Sequence, residues 1–302
     1  VTGENLIAGI DAGGTSFKLL LATRNRDIIA EQRVPTDGPI DTVEKSVNAF
    51  KAMVPIGAKI EALGIAAFGP LDLEAGSPNF GVIQNTPKPG WSGFNLKQAF
   101  ERCLPGVNVA IDLDVNAALS AECAWGAGMG LHSIAYVTVG TGIGVGLRIN
   151  NQSIQNCDHP EVGHIPVSRS PLELSSFTSA CAFHEDCLEG FASAPALMSR
   201  FGGDPSEWPD SHPAWKLEAD YLAQLCRTLT YTVRPQRIIL GGGVMSRPIL
   251  LRYTIEAFEN CMGGYAISAL PNLDEYIVQP GLASKSGELG ALYLAIHAQN
   301  ST

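Results

Sequence analysis

Two glycine-rich turns carry the first chemical signal in this chain. Asp11-Ala12-Gly13-Gly14-Thr15 follows the apolar run Leu6 to Ile10, and Gly140-Thr141-Gly142-Ile143-Gly144-Val145-Gly146 follows Ile134 to Val139. Each turn leads straight into another apolar segment, so both read as strand-turn-strand hairpins. Glycines at a hairpin tip let backbone N–H groups converge on an anion with no Cβ in the way, and a Thr hydroxyl adds a donor. Two such turns suit the two ends of a polyphosphate. Gly13, Gly14, Thr15 and Thr141 would surround the phosphates, and Asp11 would orient a magnesium ion or its waters. Lys18 reads either as a neutralising cation or as a solvated strand residue. A third glycine run, Gly241-Gly242-Gly243, follows the strand Arg237 to Leu240 and allows either close approach of a nucleoside or an ordinary strand-to-helix turn.

A second set of polar residues points to proton transfer, small-ligand binding and metal ligation. Asp112 and Asp114 stand where the strand Val107 to Ile111 hands over to a helix at Asn116 to Trp125. A carboxylate there can either accept a hydroxyl proton or cap the helix, and the two residues compete for both roles. Glu161 and His164 lie three apart in a glycine-containing turn, a spacing that lets both reach one small hydroxylated ligand or simply meet solvent. Cys181, His184 and Cys187 place three zinc ligands within seven residues. Tetrahedral zinc needs a fourth, for which His159 qualifies by spacing.

The elements that must position these groups alternate between strand and helix. Strands at Leu6 to Ile10, Phe17 to Ala22 and Ile28 to Val34 form an antiparallel start. A helix at about Thr42 to Met53 and a strand at Ala62 to Ala67 follow, then a long Pro- and Gly-rich loop from Gly76 to Gly93. The second half repeats the plan with strands Ile134 to Val139 and Gly144 to Ile149. An insertion at residues 150–190 comes next, then helices at about Pro195 to Phe201 and Trp215 to Val233, and a closing helix at about Ser286 to Ala298. This pattern predicts two α/β domains: a smaller one over residues 1–115, rejoined by the terminal helix at about 284–302, and a larger one over 116–283 carrying the insertion.

Composition narrows the function classes. The 302 residues are 45% hydrophobic and 17% charged, with a formal charge of −10, which suits a globular enzyme and disfavours a nucleic-acid partner. No apolar run approaches the ~20 residues of a membrane span, and no signal-peptide pattern is seen, so a cytoplasmic location with the seven cysteines reduced is expected.

The paired turns resemble those of the sugar-kinase, Hsp70 and actin superfamily. Glu161-Val162-Gly163-His164 followed by Cys181-Ala182-Phe183-His184-Glu185-Asp186-Cys187-Leu188-Glu189-Gly190 is similar to the signature of the ROK (repressor, open reading frame, kinase) family. Asn85-Thr86-Pro87-Lys88-Pro89-Gly90-Trp91, Asp114-Val115-Asn116 and the Cys-x2-His-x2-Cys spacing look most like the bacterial zinc-containing fructokinase branch. That spacing departs from the Cys-x-Cys-x4-Cys of many members. The similarity runs from about Ile7 to about Leu292.

The resemblance implies an actin-like (ribonuclease H-like) two-domain fold with mixed sheets flanked by helices. It implies ATP-dependent phosphorylation of a hexose, D-fructose to fructose 6-phosphate before glucose, mannose or an N-acetylhexosamine. Asp114 would be the general base. Glu161, His164 and Glu189 would bind sugar, His164 would be the first ligand of a structural zinc, and Pro195 would pack near the nucleotide base. Leu113 replaces the Asn that glucose-directed members commonly carry before the catalytic Asp, which argues against a pyranose hydroxyl there. A homodimer is the family expectation. The sugar-responsive repressors of the family carry a helix-turn-helix before the first turn, which is not expected here from the few residues ahead of Asp11.

Overall fold

The apolar run that precedes Asp11 becomes the central strand of a five-stranded sheet. In the computed structural model, which describes residues 5–86, 88–154 and 160–298, strands β1 (Asn5–Ala12), β2 (Ser16–Ala22), β3 (Ile28–Pro35), β4 (Lys59–Ala67) and β5 (Asn108–Leu113) are ordered β3-β2-β1-β4-β5. β1 runs antiparallel to β2, with Asp11 opposite Lys18, and parallel to β4. A strand covered on both faces must be apolar on both, and Leu6, Ile7, Ala8 and Ile10 are all fully buried. The period-two alternation sorts them. Leu6, Ala8 and Ile10 share a core with Val43, Val47 and Phe50 of α1 (Pro39–Met53) and with Phe100 of α2 (Leu96–Cys103). Ile7 packs instead with Leu292 and Ala295 of α9 (Ser286–His297).

A second five-stranded sheet repeats this order. It contains β6 (Ile134–Val139), β7 (Ile143–Ile149), β8 (Gln152–Ser153), β9 (Arg237–Gly241) and β10 (Ile277–Val278), arranged β10-β9-β6-β7-β8. β6 again runs antiparallel to the strand after its glycine turn and parallel to β9. Its core joins Ala135, Val137 and Val139 to Leu222, Leu225 and Leu229 of α6 (Ala214–Thr232) and to Leu250 and Phe258 of α7 (Pro248–Met262). The two compact units divide at Glu122 and Cys123, inside α3 (Asp114–Trp125), and α9 belongs with the first unit. Among the described residues no helix is long and apolar enough to cross a membrane.

Two elements position chemistry outside the sheets. The loop after β4 is pinned by Trp91, which is buried, donates Nε1–H to the Asp37 carbonyl at 2.9 Å and lies 5.3 Å from the Phe68 ring and 5.7 Å from that of Phe17. The insertion after β8 is tied to the second core by a buried ion pair. Arg200 of α5 (Ala194–Phe201) donates Nε–H to Glu173 at 2.9 Å, and Tyr221 of α6 donates to the same carboxylate at 2.8 Å.

Gly64 on β4 shows how closely α9 approaches the first sheet: a Cβ there would lie 1.9 Å from the Ala291 carbonyl oxygen and 2.7 Å from the Ala295 nitrogen. Because both neighbours are backbone, the helix as a whole must move to admit a methyl. Gly64→Ala is therefore expected to destabilise the fold by about 1–3 kcal/mol or more. A thermal midpoint unchanged from the parent would contradict this packing.

Candidate active site

The first glycine turn is braced from two sides. The Gly13 N–H donates to the carbonyls of Asp11 and Ser16, both at 3.1 Å, and the Thr36 hydroxyl donates to the Gly13 carbonyl at 2.8 Å. Gly13 is thus used inside the hairpin, while the amides of Gly14 and Thr15 make no hydrogen bond among the described residues. Asp11 is paired with Lys18 at 3.0 Å, and Lys18 also lies 3.4 Å from Glu288. Burial opposes the Lys18 charge, but the carboxylates of Asp11 and Glu288 outweigh it and its pKa stands above the ordinary value. Lys18 is thereby engaged with protein carboxylates. A different cation meets the turn: the Lys88 ammonium donates to the Gly14 carbonyl and sits 5.3 Å over the Phe68 ring. Sequence spacing gave no signal for it, because 74 residues separate the partners.

Asp112 and Asp114, competitors in the sequence, have different surroundings. Asp112 is buried at the end of β5, where Oδ1 accepts from the Leu113 N–H at 2.7 Å and from the Asn116 side chain at 3.0 Å. Asp114, the first residue of α3, is half-buried and accepts from the adjacent Val115 N–H at 2.7 Å. Burial pushes the Asp114 carboxyl up to about 7, with further upward pressure from the charges of Asp11 and Asp112. A carboxyl that gains and loses its proton near neutrality can serve as a base at working pH. Leu113 between them is a core residue whose Cδ2 would meet a Cβ on Gly69 at 2.7 Å, so the sugar preference draws no support from it.

In the second unit the glycine turn is joined to the metal-ligand loop by a carboxylate. Glu189, in the first turn of α4 (Leu188–Ala192), accepts from the Ile143 N–H at 2.9 Å and lies where a Cβ on Gly142 would come within 2.6 Å of Oε2. His164 ends a single 3-10 turn, Val162–His164, that rests on β7: a Cβ on Gly163 would be 2.1 Å from the Ile143 carbonyl. That contact aims His164 Nε2 toward Glu189, 3.9 Å away, and Nδ1 toward Cys181 Sγ, 3.8 Å away. Glu161 is exposed at the head of the same turn, and Thr141 is exposed at the tip of the hairpin.

One ligand atom from each of His164, Cys181, His184 and Cys187 lies within 4.8 Å of every other. The Cys181 Sγ to His184 Nδ1 distance is 3.7 Å. Zinc bonded at about 2.3 Å to sulfur and 2.0 Å to nitrogen sets a tetrahedral S···N separation of about 3.5 Å, close to the distances from Cys181 Sγ to the two histidines, and the four residues could hold such an ion. Burial pushes the Cys187 thiol up to about 11, with Cys181 and Glu189 adding to the effect, a charge cost that a bound cation would reverse. Cys187 also caps α4, accepting from the Gly190 N–H at 3.4 Å. His159, the alternative fourth ligand, lies outside the described residues.

The remaining nucleotide candidates have packing explanations of their own. Gly242 has φ +92°, and a Cβ on it would fall 2.3 Å from the Val139 carbonyl; one on Gly241 would meet Tyr136 Oη at 2.7 Å. Only Gly243 faces open space. Pro195 lies in the first turn of α5, whose Ala194 N–H donates to the Gly140 carbonyl at 2.8 Å, so that helix start is held against the second turn.

The repeated strand order, with three antiparallel strands followed by two parallel ones, defines the actin-like, ribonuclease H-like fold of the ROK sugar kinases. Residues 7–298 match the ROK family, and the chain belongs to it. It is similar to the fructokinase of Zymomonas mobilis, with 40% identity over 295 residues, 96% of this chain and 96% of that protein. A fructokinase of Pediococcus pentosaceus is 35% identical over 294 residues, 96% of this chain and 97% of that protein. The crystal structure of a ROK family glucokinase from Streptomyces griseus with glucose and AMPPNP superposes with a TM-score of 0.75 at 25% identity, covering 96% of this chain and 99% of that one.

Two outcomes test the site independently of turnover. Protein prepared without added metal is expected to contain about one zinc per chain, lost in Cys181→Ser together with thermal stability. Full stability with no metal would exclude a structural ion. Asp114 gives a pH-dependent signature. A folded-state value near 7 against an ordinary 3.8 means that the native protein holds its proton more tightly than the unfolded chain. Stability is therefore lost as pH rises from about 4 to about 7, and the deficit is fully present above that. Asp114→Asn should leave stability at pH 4 almost unchanged and raise it at pH 8 by up to about 4 kcal/mol. Parallel pH profiles for parent and variant would refute the assignment.

Proposed function

We propose that this protein is a fructokinase, transferring the terminal phosphoryl group of ATP to the terminal hydroxyl of D-fructose to give fructose 6-phosphate. The observation that carries the reaction type is Asp114, a half-buried carboxyl with a pKa near 7 in the same unit as the Asp11 glycine turn. The sugar assignment rests on identity of 33–40% to several fructokinases over nearly the full chain.

In this reading Asp114 takes the proton of the fructose hydroxyl as its oxygen bonds to the terminal phosphorus and the bond from that phosphorus to the departing ADP oxygen breaks. Asp11 would hold magnesium, which neutralises phosphate charge when bound. Gly14 and Thr15 offer amides to the phosphates, and the exposed Thr141 is the candidate donor of the other glycine turn. Glu161, Glu189 and His164 Nε2 bind sugar hydroxyls. The residues that would hold zinc fix His164 through Nδ1, so its tautomer leaves Nε2–H as a donor. Glucose is the competing substrate, since the Streptomyces griseus relative was crystallised with it.

The reading is tested by kcat/KM for fructose, mannose, glucose and N-acetylated hexosamines under one set of conditions, with fructose expected to be preferred. A higher value for glucose or an N-acetylhexosamine would overturn the fructose assignment and leave the phosphoryl transfer intact. For the base, kcat/KM is expected to fall about tenfold per pH unit below pH 7. Asp114→Asn should lose about 10²- to 10⁴-fold in kcat and lose that acid limb, whereas Asp112→Asn should retain the limb. An acid limb that survives in Asp114→Asn would assign the proton transfer to another group.

A further inference from the structure

We propose that the Lys88 ammonium is the cation that receives the terminal phosphate of the nucleotide at the first glycine turn. This inference rests on the kinase reading above for the identity of the anion. Its structural basis lies wholly within the first unit.

A phosphate bound at this turn needs positive charge from the protein. Lys18 is held by Asp11 at 3.0 Å and by Glu288 at 3.4 Å, and an incoming phosphate would have to compete with two carboxylates for it. Lys88 has no acidic partner among the described residues. Its ammonium donates to the Gly14 carbonyl, so close that a Cβ on Gly14 would sit 2.8 Å from Nζ. Gly14 and Thr15 are also the residues whose amides are not used in the hairpin. One ammonium N–H is engaged by the carbonyl, and two remain for phosphate oxygens.

The position of Lys88 is built. Its own carbonyl accepts from the Trp91 N–H at 3.3 Å, and Trp91 is buried and anchored through Nε1 to the Asp37 carbonyl. The Phe68 ring lies under the ammonium, which favours a cation there without neutralising it. Burial lowers the Lys88 pKa, the direction expected for an ammonium withdrawn from water and left without a counter-charge. An anion beside Nζ would remove that cost, and the charge that builds on the transferring phosphoryl group is of the right sign. A lysine that only braced the hairpin would gain nothing from being kept apart from carboxylates.

The test separates the terminal phosphate from the rest of the nucleotide. Affinities of the intact protein for ATP and ADP, each with magnesium, are measured by calorimetry in the parent, Lys88→Met and Lys88→Arg. Lys88→Met is expected to weaken ATP about tenfold or more while changing ADP little. In turnover it should lower kcat on the order of 10²-fold with a small change in the KM for sugar. Lys88→Arg, which keeps the charge, should recover part of both losses. Equal losses for ATP and ADP, or unchanged ATP affinity, would overturn the proposal. So would a variant whose defect lies in sugar KM. Loss of folding in Lys88→Met leaves Lys88→Arg to decide, because an arginine that binds ATP no better than ADP also overturns it. If the parent phosphorylates no hexose while the ATP-to-ADP difference follows Lys88, the fructokinase reading fails and the assignment of Lys88 stands.

Discussion

At Gly163 a single methyl group would collide with the Ile143 carbonyl of β7, at Gly142 with the Glu189 carboxylate, and at Gly190 with Ser179 Oγ and Cys181. The Gly163 approach is to backbone and sets how closely the insertion lies on β7, while those at Gly142 and Gly190 are to side chains packed against the glycines. The first of them fixes the position of the neighbouring His164. The glycine turn that opens β7 therefore admits the carboxylate that links hairpin to metal-ligand loop. The same constraint recurs in the first unit, where Gly64 lets α9 descend onto β4 and bring Glu288 within reach of Lys18.

Electrostatics then separates residues that chemistry alone would treat as equivalent. Asp112 and Asp114 differ by two positions, yet Asp112 is satisfied by Asn116 and a backbone amide while Asp114 is left with a raised pKa beside other acids. Lys18 and Lys88 are both cations near the first turn, yet the first is paired twice and the second not at all among the described residues. In each pair one residue is committed to the fold and the other is available to a ligand. Burial is what makes the difference matter, since an exposed charge would be screened by water whichever partner it had.

The metal-ligand loop gains its order from outside itself. Its buried Glu173 is gripped by Arg200 and Tyr221, and the Arg200 guanidinium stacks 4.0 Å over Phe177. A long insertion with little secondary structure has few backbone hydrogen bonds of its own, and the buried ion pair at one end offsets that lack.

By itself the sequence determined the two hairpins, because glycines at the end of apolar runs leave few alternatives, and the clustering of Cys181, His184 and Cys187, because seven residues cannot separate them far. It also carried the mixed α/β plan and the terminal helix at Ser286. The helix α7 carries a signal in the four-residue spacing of buried Leu250, Thr254, Phe258 and Met262, whereas α2 buries only Leu96 and Phe100 and carries little. Spacing along the chain left open whether His164 or His159 joins the cysteines and whether Asp112 or Asp114 is the open carboxyl, points on which only motif resemblance spoke, and tertiary structure alone decided that Glu189 meets Ile143 from 46 residues away and that Lys88 meets Gly14. The reason is physical: periodicity and turn chemistry report interactions within a few residues along the chain. The charge state of a carboxyl or an ammonium depends on the groups and the solvent packed around it, which only the folded chain assembles.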